Sequence, residues 1–130
     1  MLNTIFLNGG GKVKKGQGGA IDDGYIRFKD PEVLRVLLAN GVDTDGDGGI
    51  TEEEAAAVTT VSIWFKYNNV IETFDELEKF TGVKNVAQDA PTNSYASFYN
   101  CINLKSISLN NITKHIGGWC FYNCSNLNNI

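Results

Sequence analysis

Residues 98–107 read FYNCINLKSI and residues 121–130 read FYNCSNLNNI, so the two stretches agree at seven of ten positions with a period of 23 residues. The repeat makes four apolar pairs equivalent: Phe98 and Phe121, Cys101 and Cys124, Leu104 and Leu127, Ile107 and Ile130. Internal repeats of this kind are typical of solenoids, in which each unit buries its apolar face on the next. We therefore predict that each pair lies on successive rungs, at about the 4.8 Å spacing of neighbouring strands.

Three apolar residues further upstream match this repeat at an offset of 21 residues: Phe80 with Cys101, Val83 with Leu104, and Val86 with Ile107. A β-solenoid is therefore predicted over residues 80–130. Because a solenoid needs about three units and a cap, the last rung at Leu127 and Ile130 is expected to be covered by further chain or by another subunit.

A small helical module is predicted over residues 28–79. Asp30 followed by Pro31 is typical of a helix N-terminus, and Gly41 of a helix end, so we expect a first helix of about ten residues between them. A second helix is predicted from about Thr51 to Val58. The fold class is therefore α+β, with the helical module preceding the repeats.

Two further segments of this module carry local signals. VSIWF at 61–65 is rich in β-branched and aromatic residues, which favour a strand. TFDE at 73–76 has the spacing of a capping box, which predicts a third, short helix ending near Phe80.

The stretch DTDGDGGITEEE at 43–54 fits the twelve-residue EF-hand loop. Ca²⁺ takes six to eight oxygen ligands, and Gly48 permits the sharp turn that brings the first three acids together. Ile50 is expected to point into the core. The predicted calcium ligands are Asp43, Asp45, Asp47, Gly49, Thr51 and Glu54.

The alternative for this stretch, named the acidic loop from here on, is a turn rich in Asp and Gly with solvated carboxylates. Without a cation, however, mutual repulsion of the acids destabilises the closed loop. There is one such loop, and Gly41-Val42 interrupts the helix that enters it, whereas calcium sensors usually pair their loops. Structural calcium is therefore favoured over switching.

The three cysteines are too few for a disulfide scaffold. His115, Cys120 and Cys124 do not have the spacing of a zinc site. Cys101 and Cys124 are explained by the repeat as small buried apolar residues, although a disulfide between them on stacked rungs is an alternative.

His115 is the one histidine, so any Ser-His-Asp or Cys-His catalyst would have to use it. It lies in a return segment whose Ile112 and Ile116 are expected to point inward, which places its side chain at the surface. We therefore expect no enzyme. Trp64 and Trp119 are expected to pack in the core or between rungs, with a carbohydrate platform as the alternative.

Charge divides the chain into three parts that sum to a net charge of -4. Residues 1–19 carry three lysines and no acid, residues 20–89 carry all fifteen acids and six bases, and residues 90–130 carry two lysines. An acidic middle argues against nucleic-acid binding, which rests on clustered Lys and Arg. No apolar stretch approaches the roughly 18 to 20 uncharged residues that cross a bilayer, so no membrane insertion is expected.

Residues 1–27 hold a short apolar stretch followed by a glycine-rich one. The apolar residues precede the lysines, the reverse of a secretory signal. We interpret this segment as an anchor laid against another subunit of a larger assembly. The alternative is an ordinary strand and loop packed on the chain's own core.

The repeat resembles the BspA-like leucine-rich repeats, whose pattern is like F-x-x-C-x-x-L-x-x-I followed by a return strand and I-G, here Ile116-Gly117. Repeat proteins of gut Bacteroidetes often carry a similar acidic loop, then E-A-A-x-V, then F-D-E-L-x-x-F-T-G. These occur here in that order, as residues 43–54, 54–58 and 74–82. The resemblance implies a non-catalytic adhesion and protein-binding module at a cell surface or secreted.

Taken together, these features predict a non-enzymatic structural and adhesion protein with a Ca²⁺-stabilised module and repeats that bind a host-surface protein or glycan. The anchor and the uncovered last rung favour a virion appendage of a phage infecting such bacteria. The alternatives are a fragment of a secreted bacterial BspA-like adhesin, a calcium-responsive regulator, and an enzyme fragment.

Overall fold

A computed structural model describes residues 23–86, 97–113, 115–116 and 118–130. Most of the predicted anchor therefore lies outside the described residues. Two α-helices, one 3₁₀ helix and four short strands follow one another along the described chain: α1 Pro31–Ala39, α2 Glu52–Ala56, β1 Thr73–Phe74, the 3₁₀ helix Asp75–Lys79, β2 Asn85–Val86, β3 Ser106–Ile107 and β4 His115–Ile116. This mixture fits the predicted α+β class.

Helix α1 begins and ends where its sequence signals predict. The Asp30 carboxylate accepts a hydrogen bond of 3.0 Å from the Glu32 amide, and Pro31 occupies the first turn. Gly41 has a φ of +78°, the left-handed conformation that ends many helices. Helix α2 is shorter than predicted, because it ends at Ala56 instead of Val58.

The rungs are joined by parallel pairs of short strands. Strand β1 pairs with β3, Phe74 opposite Ile107, and an isolated bridge joins Ser106 to Asn129 in the next rung. On the return side, β2 pairs with β4. The predicted stacking of equivalent residues is found, since the rings of Phe98 and Phe121 lie 5.4 Å apart and are inclined by 5°.

The predicted register upstream of residue 98 is wrong. Phe74, not Val86, pairs with Ile107, and Val86 pairs with Ile116 on the return side. The preceding rung therefore begins at Phe65, whose ring stacks on Phe98 at 5.5 Å. We refer to residues 65–74, 98–107 and 121–130 as the first, second and third rungs.

Two local predictions in the helical module are also wrong. Residues 61–65 form turns instead of a strand, with Trp64 donating from its amide to the Val61 carbonyl at 3.0 Å. Thr73 lies in β1 and caps no helix. The 3₁₀ helix that follows begins after Phe74 without a side-chain cap and ends at Lys79, near the predicted end.

One hydrophobic core joins the helical module to the rungs, with fully buried residues from both. Gly82 lies directly against the end of α2, because a Cβ atom there would come within 2.6 Å of the Val58 carbonyl oxygen. Ile116 was expected to point inward and is instead 48% exposed. Within the described residues, no helix is long and apolar enough to span a membrane.

Candidate functional sites: an acidic loop and an aromatic column

The acidic loop connects the end of α1 to the start of α2. Gly46 and Gly48 have φ values of +70° and +91°, which residues with a Cβ rarely adopt. The chain therefore turns sharply after the third Asp, as the sequence predicts, and it folds the acidic side chains toward one another.

The structure brings three of the predicted ligand residues together. One carboxylate oxygen from each of Asp43, Asp45 and Asp47 lies within 4.8 Å of the others. The neighbouring Asp43 carboxylate raises the pKa of Asp45, because one shared proton relieves the contact between two negative groups. Oxygen ligands alone, held this close, fit a hard cation such as Ca²⁺.

Backbone amides of the loop hold these carboxylates in place. The Gly48 amide donates to Asp43 Oδ2 at 2.7 Å, and the Asp47 amide donates to Asp45 Oδ1 at 3.2 Å. The amide of Gly49, which is buried, donates to Asp47 Oδ1 at 3.1 Å. The acidic cluster is therefore set by the backbone of the loop itself.

Glu54 stands outside this cluster and closes the loop at its two ends. Its Oε1 accepts from the Thr51 amide at 2.9 Å, and its Oε2 accepts from the Thr44 amide at 2.8 Å. In return the Thr51 hydroxyl caps the Glu54 amide at 3.1 Å, which completes a capping box. Thr51 and Glu54, both predicted ligands, thus form the N-cap of α2.

A short extended segment ahead of α1 pairs with the acidic loop. The Ile26 amide donates to the Ile50 carbonyl at 2.8 Å, and Tyr25 bridges Thr51 in antiparallel fashion. The Tyr25 hydroxyl donates to Asp47 Oδ2. Ile50 is buried as predicted. Sequence reasoning missed the pairing, since nothing near Tyr25 in the chain signals its partner.

A second candidate site is a group of exposed and half-buried aromatic rings, which we name the aromatic column: Tyr67, Tyr99, Trp119 and Tyr122. Tyr99 and Tyr122 stack at 5.1 Å and 17°, Tyr67 meets Tyr99 edge-on at 5.5 Å, and Trp119 lies 4.9 Å from Tyr122. The exposed fractions of Tyr67, Trp119 and Tyr122 are 60%, 52% and 51%. Trp119 therefore belongs to a surface, whereas Trp64 packs half-buried against the core.

The repeat builds this column from its backbone. The third residue of each rung has a positive φ: 64° at Tyr67, 61° at Asn100 and 59° at Asn123. The Tyr67 amide donates to the Tyr99 carbonyl at 2.7 Å, and the Asn100 amide donates to the Tyr122 carbonyl at 2.8 Å. Because the same turn recurs in register, the neighbouring aromatic side chains fall one above another.

Two of the cysteines repeat from rung to rung as hydrogen-bond donors, Cys101 buried and Cys124 half-buried. Cys101 Sγ donates to the Phe65 carbonyl at 2.9 Å and Cys124 Sγ donates to the Phe98 carbonyl at 3.0 Å. All three cysteines are free thiols, so the alternative of a Cys101–Cys124 disulfide is not found. Burial raises the pKa of Cys101 to about 12, which disfavours a nucleophilic thiolate.

The remaining sequence candidate for chemistry is His115, and its side chain lies outside the described residues. Among the described residues, the acidic loop alone gathers three potential metal-ligating groups of the Cys, His, Asp and Glu types.

Residues 67–130 match the family model described as BspA type leucine rich repeat region (6 copies). The match begins within the first rung. A search of curated proteins and a search of solved structures returned no match. With rungs stacked from Phe65 onward, the comparison supports the predicted resemblance to BspA-like leucine-rich repeats over residues 67–130.

Proposed function

We propose that this chain is a non-enzymatic binding and adhesion protein whose repeats present the aromatic column to a protein partner. The observation that carries the proposal is the column itself, with large aromatic side chains half exposed on stacked rungs. Leucine-rich repeats of the BspA type suggest a protein-interaction module, which supports the same conclusion.

The column has the composition of a binding surface. Tyr and Trp are enriched among the residues that contribute most to protein–protein interfaces, because they bury a large area with few rotatable bonds. Lys66 extends the surface with a positive charge, its Nζ lying 5.3 Å from the centre of the Tyr67 ring. Rung-to-rung backbone bonds hold the rings in place, so little ordering is needed on binding.

Paired substitutions test this role. Tyr122→Ser with Trp119→Ser should abolish binding to arrayed bacterial surface proteins and leave the thermal unfolding midpoint nearly unchanged, because both side chains are already half in water. Val70→Ser is the matched control, an exposed apolar residue outside the column. Full binding by the double variant would refute the assignment, and selective binding to arrayed glycans would replace the protein partner with a carbohydrate.

For the acidic loop we propose structural Ca²⁺. Three clustered carboxylates repel one another, and a divalent cation relieves that repulsion. Calcium should therefore raise the melting temperature, and Asp43→Ala should remove the gain. Equal melting in calcium and in chelator would exclude the site. A calcium-responsive regulator would instead expose apolar surface on binding, which a hydrophobic dye detects.

We further propose that residues 1–27 anchor the chain in a larger assembly, in a virion of a phage or, alternatively, at a bacterial surface. The segment has three lysines and no acid in its first 19 residues, and it precedes a strongly acidic module. Chemical cross-linking of the assembled particle, followed by mapping of lysine cross-links, should place Lys12, Lys14 and Lys15 against another subunit. Cross-links confined to the chain's own module would favour the strand-and-loop alternative.

A further inference from the structure

Residues 25–30 contact the acidic loop at one end. The Tyr25 hydroxyl and the Ile26 amide bond to Asp47 and Ile50, the fifth and eighth residues of the loop. Ile26 and Ile50 are both buried, so the contact is part of the core. Any change that orders the loop therefore also orders this segment.

The other end of the same segment contacts the first rung. Asp30 divides its carboxylate between two elements: Oδ1 caps α1 through the Glu32 amide, and Oδ2 accepts from the Glu72 and Thr73 amides at 2.6 and 3.3 Å. Lys29 Nζ lies 2.9 Å from Asp75 Oδ2. These residues join the segment to β1 and to the 3₁₀ helix after it.

The contact continues from the first rung into the second. The Glu72 carbonyl accepts from the Lys105 amide at 2.7 Å. Glu72 therefore bonds to Asp30 through its amide and to the second rung through its carbonyl. Asp75 in turn accepts from the Ser106 hydroxyl. Hydrogen bonds at the two ends of residues 25–30, together with the covalent chain between them, thus connect Asp47 to Lys105.

We propose that residues 25–30 act as a strap that couples the acidic loop to the rungs, so that cation binding at the loop restrains the backbone where the first and second rungs meet, at Glu72 and Lys105. The inference rests on the proposed calcium site. It assigns that site a consequence at Glu72 and Lys105, in the first and second rungs, which also carry Tyr67 and Tyr99 of the aromatic column.

Amide hydrogen exchange of the full chain, followed residue by residue by NMR with and without CaCl₂, tests the strap. Calcium should slow exchange at Glu72 and Lys105 by about fivefold, the effect of one hydrogen bond held closed. The Asn100 amide, bonded to the Tyr122 carbonyl far from the strap, is the reference. It should slow much less, because restraint through the strap is local.

Asp30→Asn separates the two ends of the strap. Asn caps helices as well as Asp does, so α1 should persist, but an amide nitrogen replaces one of the two acceptor oxygens. Calorimetry should then show unchanged calcium affinity, whereas the calcium-dependent slowing at Glu72 and Lys105 should disappear. Tyr122→Phe, an aromatic change distant from the strap, should keep both.

Failure of the strap and failure of the calcium site give different results. If calcium binds by calorimetry but Glu72 and Lys105 do not slow, or slow no more than Asn100, the strap is overturned and the calcium site stands. If no calcium binds, Tyr25→Phe is compared with the unaltered chain in chelator. Faster exchange at Glu72 and Lys105 then supports the strap, and unchanged exchange overturns it.

Discussion

Removing the ring of Phe98 tests whether the rungs stack as described. Phe98 is fully buried and lies between two rings, Phe65 at 5.5 Å and Phe121 at 5.4 Å. Phe121 is its equivalent one rung later, half-buried and stacked on Phe98 alone among the described rings. The same substitution at the two positions therefore differs in burial and in the number of stacked faces lost.

The expected magnitudes follow from those differences. Phe98→Ala should lower the free energy of unfolding by about 4 kcal/mol, within the range for a fully buried phenylalanine. Phe121→Ala should lower it by about 2 kcal/mol, because part of its surface is already in water and one aromatic contact, worth about 1 kcal/mol, is lost instead of the three that Phe98 makes. The total free energy of unfolding of a small domain is only about 5 to 15 kcal/mol, so Phe98→Ala removes a large share of it. Phe98→Leu, which should cost about 1.5 kcal/mol, is the milder variant.

Urea unfolding followed by tryptophan fluorescence measures these differences, provided that the variants share one m-value. If Phe98→Ala is already unfolded without urea, Phe98→Leu replaces it in the comparison with Phe121. A loss at Phe121 equal to or greater than the loss at Phe98 would refute the proposed order of rings, because Phe98 is fully buried and Phe121 is half-buried with one described ring neighbour.

Three further predictions follow from single residues. Gly82→Ala should cost about 2 to 3 kcal/mol in urea unfolding, since its Cβ would meet backbone oxygens that cannot move aside, whereas Gly118→Ala, with nothing within 4 Å, should change little. The pKa of Asp45 is raised in the folded protein, so in chelator protonation of Asp45 stabilises the fold at acidic pH, and this stabilisation is lost as pH rises through the folded-state pKa. Asp45→Asn should therefore raise the melting temperature in chelator at neutral pH. An unchanged or lower melting temperature would contradict repulsion among the carboxylates of the loop. Cys101 and Cys120, whose pKa values burial raises to about 12, should react with a thiol reagent only on unfolding, after the half-buried Cys124; equal labelling rates would contradict their burial.

Features that depend on neighbouring residues were predictable from the sequence. The N-cap at Asp30 and the end at Gly41 each need only a few adjacent residues, and both are found. The pairing of Phe98 with Phe121 was predictable for a different reason, since identical side chains at a constant period have one way to bury their shared face. In these cases local preference and global packing agree.

The first rung was missed because its spacing and composition differ from those of the later ones. Phe74 lies 33 residues before Ile107, ten more than the period of the visible repeat, so a constant spacing does not find it. The composition differs because the first rung has Asn68 where the second and third rungs have Cys101 and Cys124. Either Asn or Cys is found at such positions in leucine-rich repeats, so Asn68 is compatible with a rung. A search for F-x-x-N/C-x-x-I/L with variable spacing would have identified it.

Other features could not be predicted because distant contacts decide them. Residues 61–65 have strand propensity, but they form the turn that brings Phe65 onto Phe98. The pairing of Ile26 with Ile50 joins two residues that are separated along the chain by the whole of α1, so no local pattern encodes it. Tertiary structure overrides propensity in the first case and supplies the partner in the second.

The overlap of two motifs at Thr51 and Glu54 bears on how tightly the acidic loop would hold the proposed calcium ion. T-x-x-E is both a capping box and the last third of an EF-hand loop, and the structure shows the capping box. With Glu54 bonded to Thr44 and Thr51, three carboxylates remain clustered, a ligand set expected to bind calcium at about 10⁻⁴ to 10⁻³ M, the range of extracellular modules.

Glu54→Gln separates the two roles, because glutamine still completes a capping box but carries no negative charge. If Glu54 supplies charge to the ion, the variant should lose the gain in melting temperature that calcium gives. If Glu54 serves only as the cap, calcium should still raise the melting temperature, and calcium affinity measured by calorimetry should not change. In chelator the variant should melt somewhat below the unaltered chain in either case, because glutamine has one acceptor oxygen and loses the hydrogen bond from the Thr44 amide.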